Sequence, residues 1–364
     1  MKLTKLAGFL AAAACVTMIG AGAAMAEESN PISVCIITSS GIDDGSFNQD
    51  CYNGILTFME EHDDCTVTDI KESDYNELIP TVEKSVGDFD VFVLPGFNFA
   101  GIGDIAQNNP DKKFLVVDST ITDSEGNAVT LDNVYTMTFK EQEGGFLAGV
   151  AAALTTQSGK VAVVNGMPFP SNVNYELGFM SGVNYANENY GSSAECVELP
   201  SYAGTDLFGN DVGGNYTGDF VDESLGKVVG EALIDEGCDV IFVAAGASGN
   251  GVFTAAKEAD GVYVIGCDVD QFDDGANGDG NIILTSSLKV MHSNVTKQLE
   301  NIYNGTFAGE DALLGADTDS TGIVTEEGRQ QLDDGAIEKL NECYEMIKSG
   351  EIVPASQEDF QGLK

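Results

Sequence analysis

Short apolar runs alternate with amphipathic stretches along nearly the whole chain. Ser33–Thr38 is an apolar run of strand length. Asn48–Glu61 follows it, with Tyr52, Ile55, Leu56 and Met59 at the i, i+3, i+4, i+7 spacing that lines one face of a helix. The rhythm recurs: Val67–Lys71 precedes a helical stretch carrying Leu78, Ile79, Val82 and Val86, and strands are predicted at Val91–Pro95, Phe114–Val117 and Val134–Phe139. An Ala-rich helix is expected over Glu143–Thr155, and the pattern restarts at Val161–Asn165. Later strands are predicted at Glu195–Leu199, Val240–Ala244, Tyr263–Cys267 and Ile282–Thr285. Later helices fall at Asn174–Asn187, Glu223–Glu236, Gly251–Ala259 and Val290–Tyr303.

Strand-helix-strand alternation with nearly continuous apolar strands means parallel sheets covered on both faces. Two such sets, one before and one after about residue 140, give an α/β chain of two Rossmann-like, doubly wound lobes. In such sheets ligands bind beyond the carboxyl ends of the strands, so the residues just after each strand carry the functional signal. The Gly-rich segment Ala203–Gly218 and the Asp/Gly-rich segment Asp273–Gly280 read as surface loops.

The first 26 residues stand outside this pattern. Lys2 and Lys5 precede an apolar stretch from Leu6 to Ala24, and Ala24-Met25-Ala26 supplies a small-x-small cleavage site, the build of a secretory signal. Ala13-Ala14-Cys15 offers a competing lipid-anchor reading, which would tether an exported protein at the cell surface through Cys15. The apolar run continuing from Val16 to Ala26 favours ordinary cleavage. No later stretch has the ~20 uninterrupted apolar residues of a membrane helix.

Charge narrows the partners. The 364 residues carry a formal net charge of −43 with 43% hydrophobic content, a globular composition with an extreme acidic excess. That field repels phosphate backbones and anionic lipid, which excludes nucleic acid and membrane surfaces as partners and disfavours a highly anionic ligand. A neutral or cationic ligand fits, and acidity serving solubility alone is an equal reading. Seven cysteines follow the signal, scattered and without a CxxC or a neighbouring His, which suggests free thiols and neither zinc nor redox chemistry.

The loop after the first strand, Ser39-Ser40-Gly41-Ile42-Asp43-Asp44-Gly45-Ser46-Phe47-Asn48-Gln49, leads into a helix N-terminus. Phe47 offers a stacking face there, and Asp44, Asn48 and Gln49 offer acceptors and donors. Plain helix capping accounts for Asp43, Asp44 and Ser46, but it leaves Phe47 in a polar loop unexplained.

Gly41–Gln49, Glu141–Gly149, Gly218–Asp222, Ala245–Phe253, Ile265–Gln271 and Thr285–Lys289 occur in an order and composition that resemble the basic membrane protein family. These are substrate-binding proteins of ABC importers and include purine nucleoside receptors. The resemblance covers most of the chain after the signal. It implies a type I periplasmic-binding-protein fold, with a hinge crossed near residues 140, 287 and 321. The first lobe would then comprise 31–140 with 287–321, and the second 141–286 with 322–364. It implies a base held between Phe47 and Phe220, sugar hydroxyls held by Asp268 and Lys289 as a buried ion pair, and Gly246 admitting the ligand close to backbone amides. Permease and ATPase subunits are the implied partners of a monomeric receptor that uses no cofactor, no metal and no catalytic set.

One position departs from the family. Where many members carry Asp at the end of the first strand, this chain has Thr38. Either the ligand lacks that contact, or another acid, Asp43 or Asp118, supplies it. Riboflavin or a sugar would suit the same receptor role. A ligand sensor for a membrane receptor is an alternative, and a nucleoside hydrolase lacks its nucleophile or metal constellation. Asp317-x-Asp319-x-Thr321-Gly322 opens like a calcium loop but has Gly328 at the twelfth position, where the bidentate Glu belongs.

Overall fold

The computed structural model describes residues 30–357. The signal segment and Cys15 lie outside the described residues. Two six-stranded sheets organise the chain. The first is built from β1 (Ser33–Thr38), β2 (Thr66–Lys71), β3 (Val91–Pro95), β4 (Lys113–Val117), β5 (Val134–Phe139) and a late strand, β15 (Glu310–Leu314). Its order is β15-β5-β4-β3-β1-β2, parallel throughout.

The second sheet uses β6 (Lys160–Asn165), β7 (Glu195–Cys196), β10 (Val240–Ala244), β11 (Tyr263–Gly266), β14 (Ile283–Lys289) and β16 (Thr321–Ile323), in the order β16-β14-β11-β10-β6-β7. Only β16 runs antiparallel to its neighbour. Two small ribbons, β8 (Gly204–Thr205) with β9 (Asp211–Gly213) and β12 (Ala276–Asn277) with β13 (Gly280–Asn281), lie in the loops read as Gly-rich.

The continuous apolar strands have a direct cause. Along β1, Val34 and Ile36 enter one core cluster and Cys35 and Ile37 the other, because helices cover both faces of the sheet. Along β10, Val240, Phe242 and Ala244 face one core while Ile241 and Val243 face the other. The helices are α1 (Phe47–Glu61), α2 (Leu78–Ser85), α3 (Gly103–Asn108), α4 (Glu141–Thr155), α5 (Pro170–Tyr190), α6 (Glu223–Asp235), α7 (Gly249–Glu258), α8 (Met291–Tyr303) and α9 (Asp334–Lys348).

Several elements differ from the sequence expectations. Helix α5 begins at Pro170 rather than Asn174, since a proline at the first helical position loses no hydrogen bond. Strand β7 stops at Cys196 because Leu199 N–H turns to the Asn215 side chain at 2.8 Å. The periodicity did not reveal β15, β16 or α9. Strand β15 is an edge strand whose Glu310, Asp311 and Leu313 are exposed, so it carries little apolar pattern.

The chain passes between the sheets three times, from β5 to α4, from β14 to α8 and from β15 to β16. These strips are tied together. The buried Glu143 carboxylate accepts from Ala316 N–H and from Thr321 Oγ1, each at 2.7 Å, and Lys140 N–H donates to the Leu314 carbonyl. Helices α4 and α5 then cross at unusually close range. A Cβ built at Gly149 would stand 2.1 Å from the Phe179 carbonyl oxygen, and one at Gly182 would stand 2.0 Å from that of Phe146. Glycine is therefore a packing requirement there, because the neighbour is backbone and cannot give way.

Gly149→Ala tests this contact. Alanine has the better helix propensity, yet the overpacking should dominate and cost about 1–3 kcal/mol, read as a lower denaturant midpoint. An unchanged or raised midpoint would mean that the helices separate freely.

Candidate ligand-binding cleft

The carboxyl ends of strands from both sheets open onto one cavity, about 670 Å³ with its open mouth included. From the first sheet come Ser39, Ser40, Asp44, Phe47 and Asn48 after β1, Gly96, Phe97 and Asn98 after β3, and Asp118 after β4. From the second come Phe169, Asn172 and Tyr175 after β6, Phe220 before α6, Gly246 after β10, Asp268 after β11, and Lys289 at the end of β14. Asp118 and Asp268 both adopt left-handed backbone conformations, with φ of 63° and 71°. Aspartate tolerates that region better than most residues, and the conformation turns each carboxylate off its strand end into the cleft.

Lys289 is the electrostatic centre. It is 2% exposed, and its ammonium lies 2.7 Å from Asp118 Oδ2 and 3.3 Å from Glu141 Oε1. The rings of Phe47, Phe139 and Tyr175 surround it with centroids at 5.1, 5.5 and 5.5 Å. The expected Asp268–Lys289 ion pair is replaced by these contacts. Asp268 bonds to Lys289 through its backbone, as acceptor of the Lys289 N–H at 2.9 Å. Its carboxylate accepts from Tyr175 Oη at 3.2 Å and Cys267 Sγ at 3.5 Å. Lys289 ends β14 of the second sheet, two residues past the boundary expected at 287, so its partner Asp118, after β4 of the first sheet, comes from the opposite lobe.

Burial acts on Lys289, Glu141 and Asp268. For Lys289 it lowers the pKa, but the fields of Asp118, Glu141 and Asp268 outweigh it and hold the ammonium above the ordinary lysine value. Burial pushes Glu141 up to about 7 and Asp268 up to about 6, with Lys289 opposing both shifts. Three acids around one cation favour a ligand that donates hydrogen bonds, and Asp118 Oδ1 is buried without a hydrogen-bond partner among the described residues.

Of the residues singled out in the sequence, Asp44, Phe47, Asn48, Asp118, Phe220, Gly246, Asp268 and Lys289 line this cavity, and Thr38, Asp43 and Gln49 do not. Asp44 serves twice, since its carboxylate also caps α1 by accepting from Ser46, Asn48 and Gln49 N–H at 3.1, 3.0 and 3.1 Å. Asn48 donates to Ser40 Oγ at 2.6 Å. Gly246 has φ 54°, and a Cβ there would come within 3.3 Å of the Phe220 carbonyl. Thr38 is buried outside the lining. It is 1% exposed, its hydroxyl accepts from Gly41 N–H at 3.1 Å, and Ser39 and Ser40 form the wall instead. Of the two acids considered as substitutes for the missing Asp, Asp118 lines the cavity and Asp43 does not.

Sequence reasoning missed Phe97, Phe169, Asn172, Tyr175 and Glu141. Phe97 and Phe169 follow β3 and β6 just as Phe47 follows β1, so an aromatic after a strand end was the available signal. Asn172, Tyr175 and Glu141 sit within helices and carried none. Behind this wall, Asn172 Nδ2 donates to the Ala244 carbonyl and to Asn165 Oδ1 at 2.8 and 3.2 Å. Asn165 leads on to the buried Glu176, which accepts from Tyr216 Oη at 2.8 Å. Burial pushes Glu176 up to about 8, with the nearby Glu198 adding to the shift. Among the described residues the seven cysteines are free thiols, and no cluster of His, Cys, Asp and Glu is arranged to hold a metal.

The family model described as "ABC transporter substrate-binding protein PnrA-like" matches residues 32–197 and 210–357. The chain belongs to this family. The interval between the two matched segments overlaps the loop carrying the β8–β9 ribbon. A CD4+ T-cell-stimulating antigen of Listeria monocytogenes is 31% identical, over 90% of this chain and 88% of its own length. The "ABC transporter nucleoside-binding protein BmpA" of Lactococcus lactis subsp. cremoris is 28% identical, over 76% and 77% of the two chains. Among solved structures, an ABC transporter solute-binding protein from Aeropyrum pernix K1 superposes with a TM-score of 0.74 at 24% identity, covering 90% of this chain and 94% of that one, a likeness of fold.

The raised acids fix the direction of the pH dependence. Folded Glu141, Asp268 and Glu176 hold protons that the unfolded chain has released, so their stabilisation is complete below about pH 4 and is lost as pH rises to about 8. Glu176→Gln mimics the protonated acid. It should match the parent near pH 5 and exceed it near pH 8 by an amount on the order of 2–4 kcal/mol in thermal or chemical melts. A variant tracking the parent at both pH values would show that Glu176 titrates normally.

Proposed function

We propose that this ABC importer receptor captures a purine nucleoside, a neutral ring carrying hydroxyls, between its two lobes. Substrate-binding proteins of ABC importers are extracytoplasmic and deliver a small molecule to a permease driven by an ATPase, and the chain belongs to that class. No helix among the described residues is long and apolar enough to cross a membrane. The nucleoside reading rests on what the cavity joins together.

The carrying observation is the placement of Lys289, Asp118 and Asp268 in the same cavity as Phe47 and Phe220, which belong to opposite lobes. A flat base between two rings gains area and stacking from both sides. A sugar would meet the polar end, where Lys289 donates to a hydroxyl oxygen and the free Asp118 oxygen accepts a hydroxyl hydrogen. The name of the Lactococcus relative agrees with this ligand class. Asp118 takes the place of the acid absent at Thr38.

Capture and closure are then one event. Phe47 and Asp118 arrive with the first lobe, Phe220, Asp268 and Lys289 with the second, so a ligand touching both sets favours the closed form. The importer reads that form. A phosphate on the sugar would bring negative charge against Asp118, Glu141 and Asp268, which one lysine does not offset.

Two calorimetric measurements test this reading. Phe47→Ala and Phe220→Ala should each weaken nucleoside binding by about 1–3 kcal/mol, the worth of a base–aromatic stack. Parent-like affinity in both would remove the sandwich. The 5′-monophosphate of a nucleoside that binds should bind at least about 100-fold more weakly, or about 3 kcal/mol. Equal affinity would place the sugar elsewhere than the acidic end.

A further inference from the structure

A second pair of aromatic rings on the cavity wall spans the lobes. Phe97 follows Gly96, whose φ of 117° turns the chain off the end of β3. Phe169 lies between β6 and α5, held by its N–H donating to the Met167 carbonyl at 2.8 Å and by Pro170, which starts the helix. The two ring centroids are 5.5 Å apart with planes inclined by 32°. Phe169 in turn lies 5.9 Å from Phe220 at 30°. Three rings thus run in series, half-buried Phe97, buried Phe169 and half-buried Phe220, and all three line the cavity.

Core packing does not account for them. Phe169 is only 8% exposed, yet neither it nor Phe97 belongs to any of the four apolar cores of the described residues. Its ring neighbours are Phe97 and Phe220. Phe97 stands on the first lobe and Phe169 on the second, so their contact exists only while the lobes are together.

We propose that Phe97 and Phe169 form a gate between the lobes that sets how long a captured ligand stays bound. The inference builds on the reading of the cavity as the ligand site. Contact made only after closure lowers the rate of opening and leaves the diffusional encounter with the open form unchanged. The gate therefore governs residence, whereas Phe47 and Phe220 govern recognition. Phe169 links the two roles, because its ring also supports Phe220.

Phe97→Ala is the cleaner variant, since Phe97 does not touch Phe220 in the ring series. With guanosine as probe, stopped-flow displacement should show dissociation faster by about 2- to 13-fold, the range of one aromatic pair, with association within twofold of the parent. Phe97→Tyr should restore slow release. Unchanged dissociation, or a loss carried by slower association, would overturn the gate. Single-molecule energy transfer between one fluorophore on each lobe supplies a second arm, run without ligand. There Phe97→Ala should lower the closed fraction and Phe97→Tyr should restore it. Should guanosine and other nucleosides fail to bind the parent, the nucleoside reading falls and this arm alone decides the gate. An unchanged closed fraction would then refute it.

Discussion

A lysine ammonium with 2% exposure is tolerable only where negative charge surrounds it, and the rest of this cleft follows from that constraint. Removing an ion from water costs several kcal/mol even after relaxation, and a single well-placed carboxylate rarely returns all of it. Lys289 has Asp118 at 2.7 Å, Glu141 at 3.3 Å and three ring faces within 5.5 Å. Asp118 stands on the first lobe, Glu141 at the head of the first hinge helix and Lys289 at the end of a strand of the second lobe. The counter-charges assemble only when the lobes and the hinge are in register, so the electrostatics of the site and the closure of the cleft are the same arrangement.

The two lobes build this site by the same device. Each has a parallel sheet with both faces covered, so only the strand ends are free to present polar groups. Each places an aspartate in the left-handed region just beyond a central strand, Asp118 after β4 and Asp268 after β11. Each also contributes an aromatic from a loop that follows a strand, Phe97 after β3 and Phe169 after β6. Backbone strain of that kind persists where surrounding structure holds it, and here it aims the carboxylates.

Acidity appears at two scales with different consequences. The net charge of −43 bears on solubility and on which molecules approach. The buried acids bear on what fits. Glu141 and Asp268 are pushed toward neutrality by burial, while Lys289 remains charged because they are near. A donor-rich neutral ligand satisfies such a set, and the polar wall of Asn48, Asn98 and Asn172 offers further partners around a ring.

By itself the sequence determined the two-lobed α/β architecture, the family, and the neighbourhood of the cleft. Hydrophobic period and strand-end loops are local properties, so Phe47 and Asn48 were legible from their position after the first strand, whereas Phe220, Gly246 and Asp268 came from the family resemblance. Edge strand β15, with its exposed acids, was not legible, because its apolar pattern is weak; helix α9 was passed over although Ala336, Leu340, Cys343 and Ile347 line one buried face. Tertiary structure decided the pairing of charges. Lys289 was expected to pair with Asp268, yet its carboxylate partner lies 171 residues away, on a strand of the other sheet. It also turned Thr38 inward to cap its own loop and brought Phe97 to Phe169 across the cleft. Which carboxylate meets a lysine depends on which strand ends converge and how much water they exclude. Neither quantity is written in any local stretch of the chain.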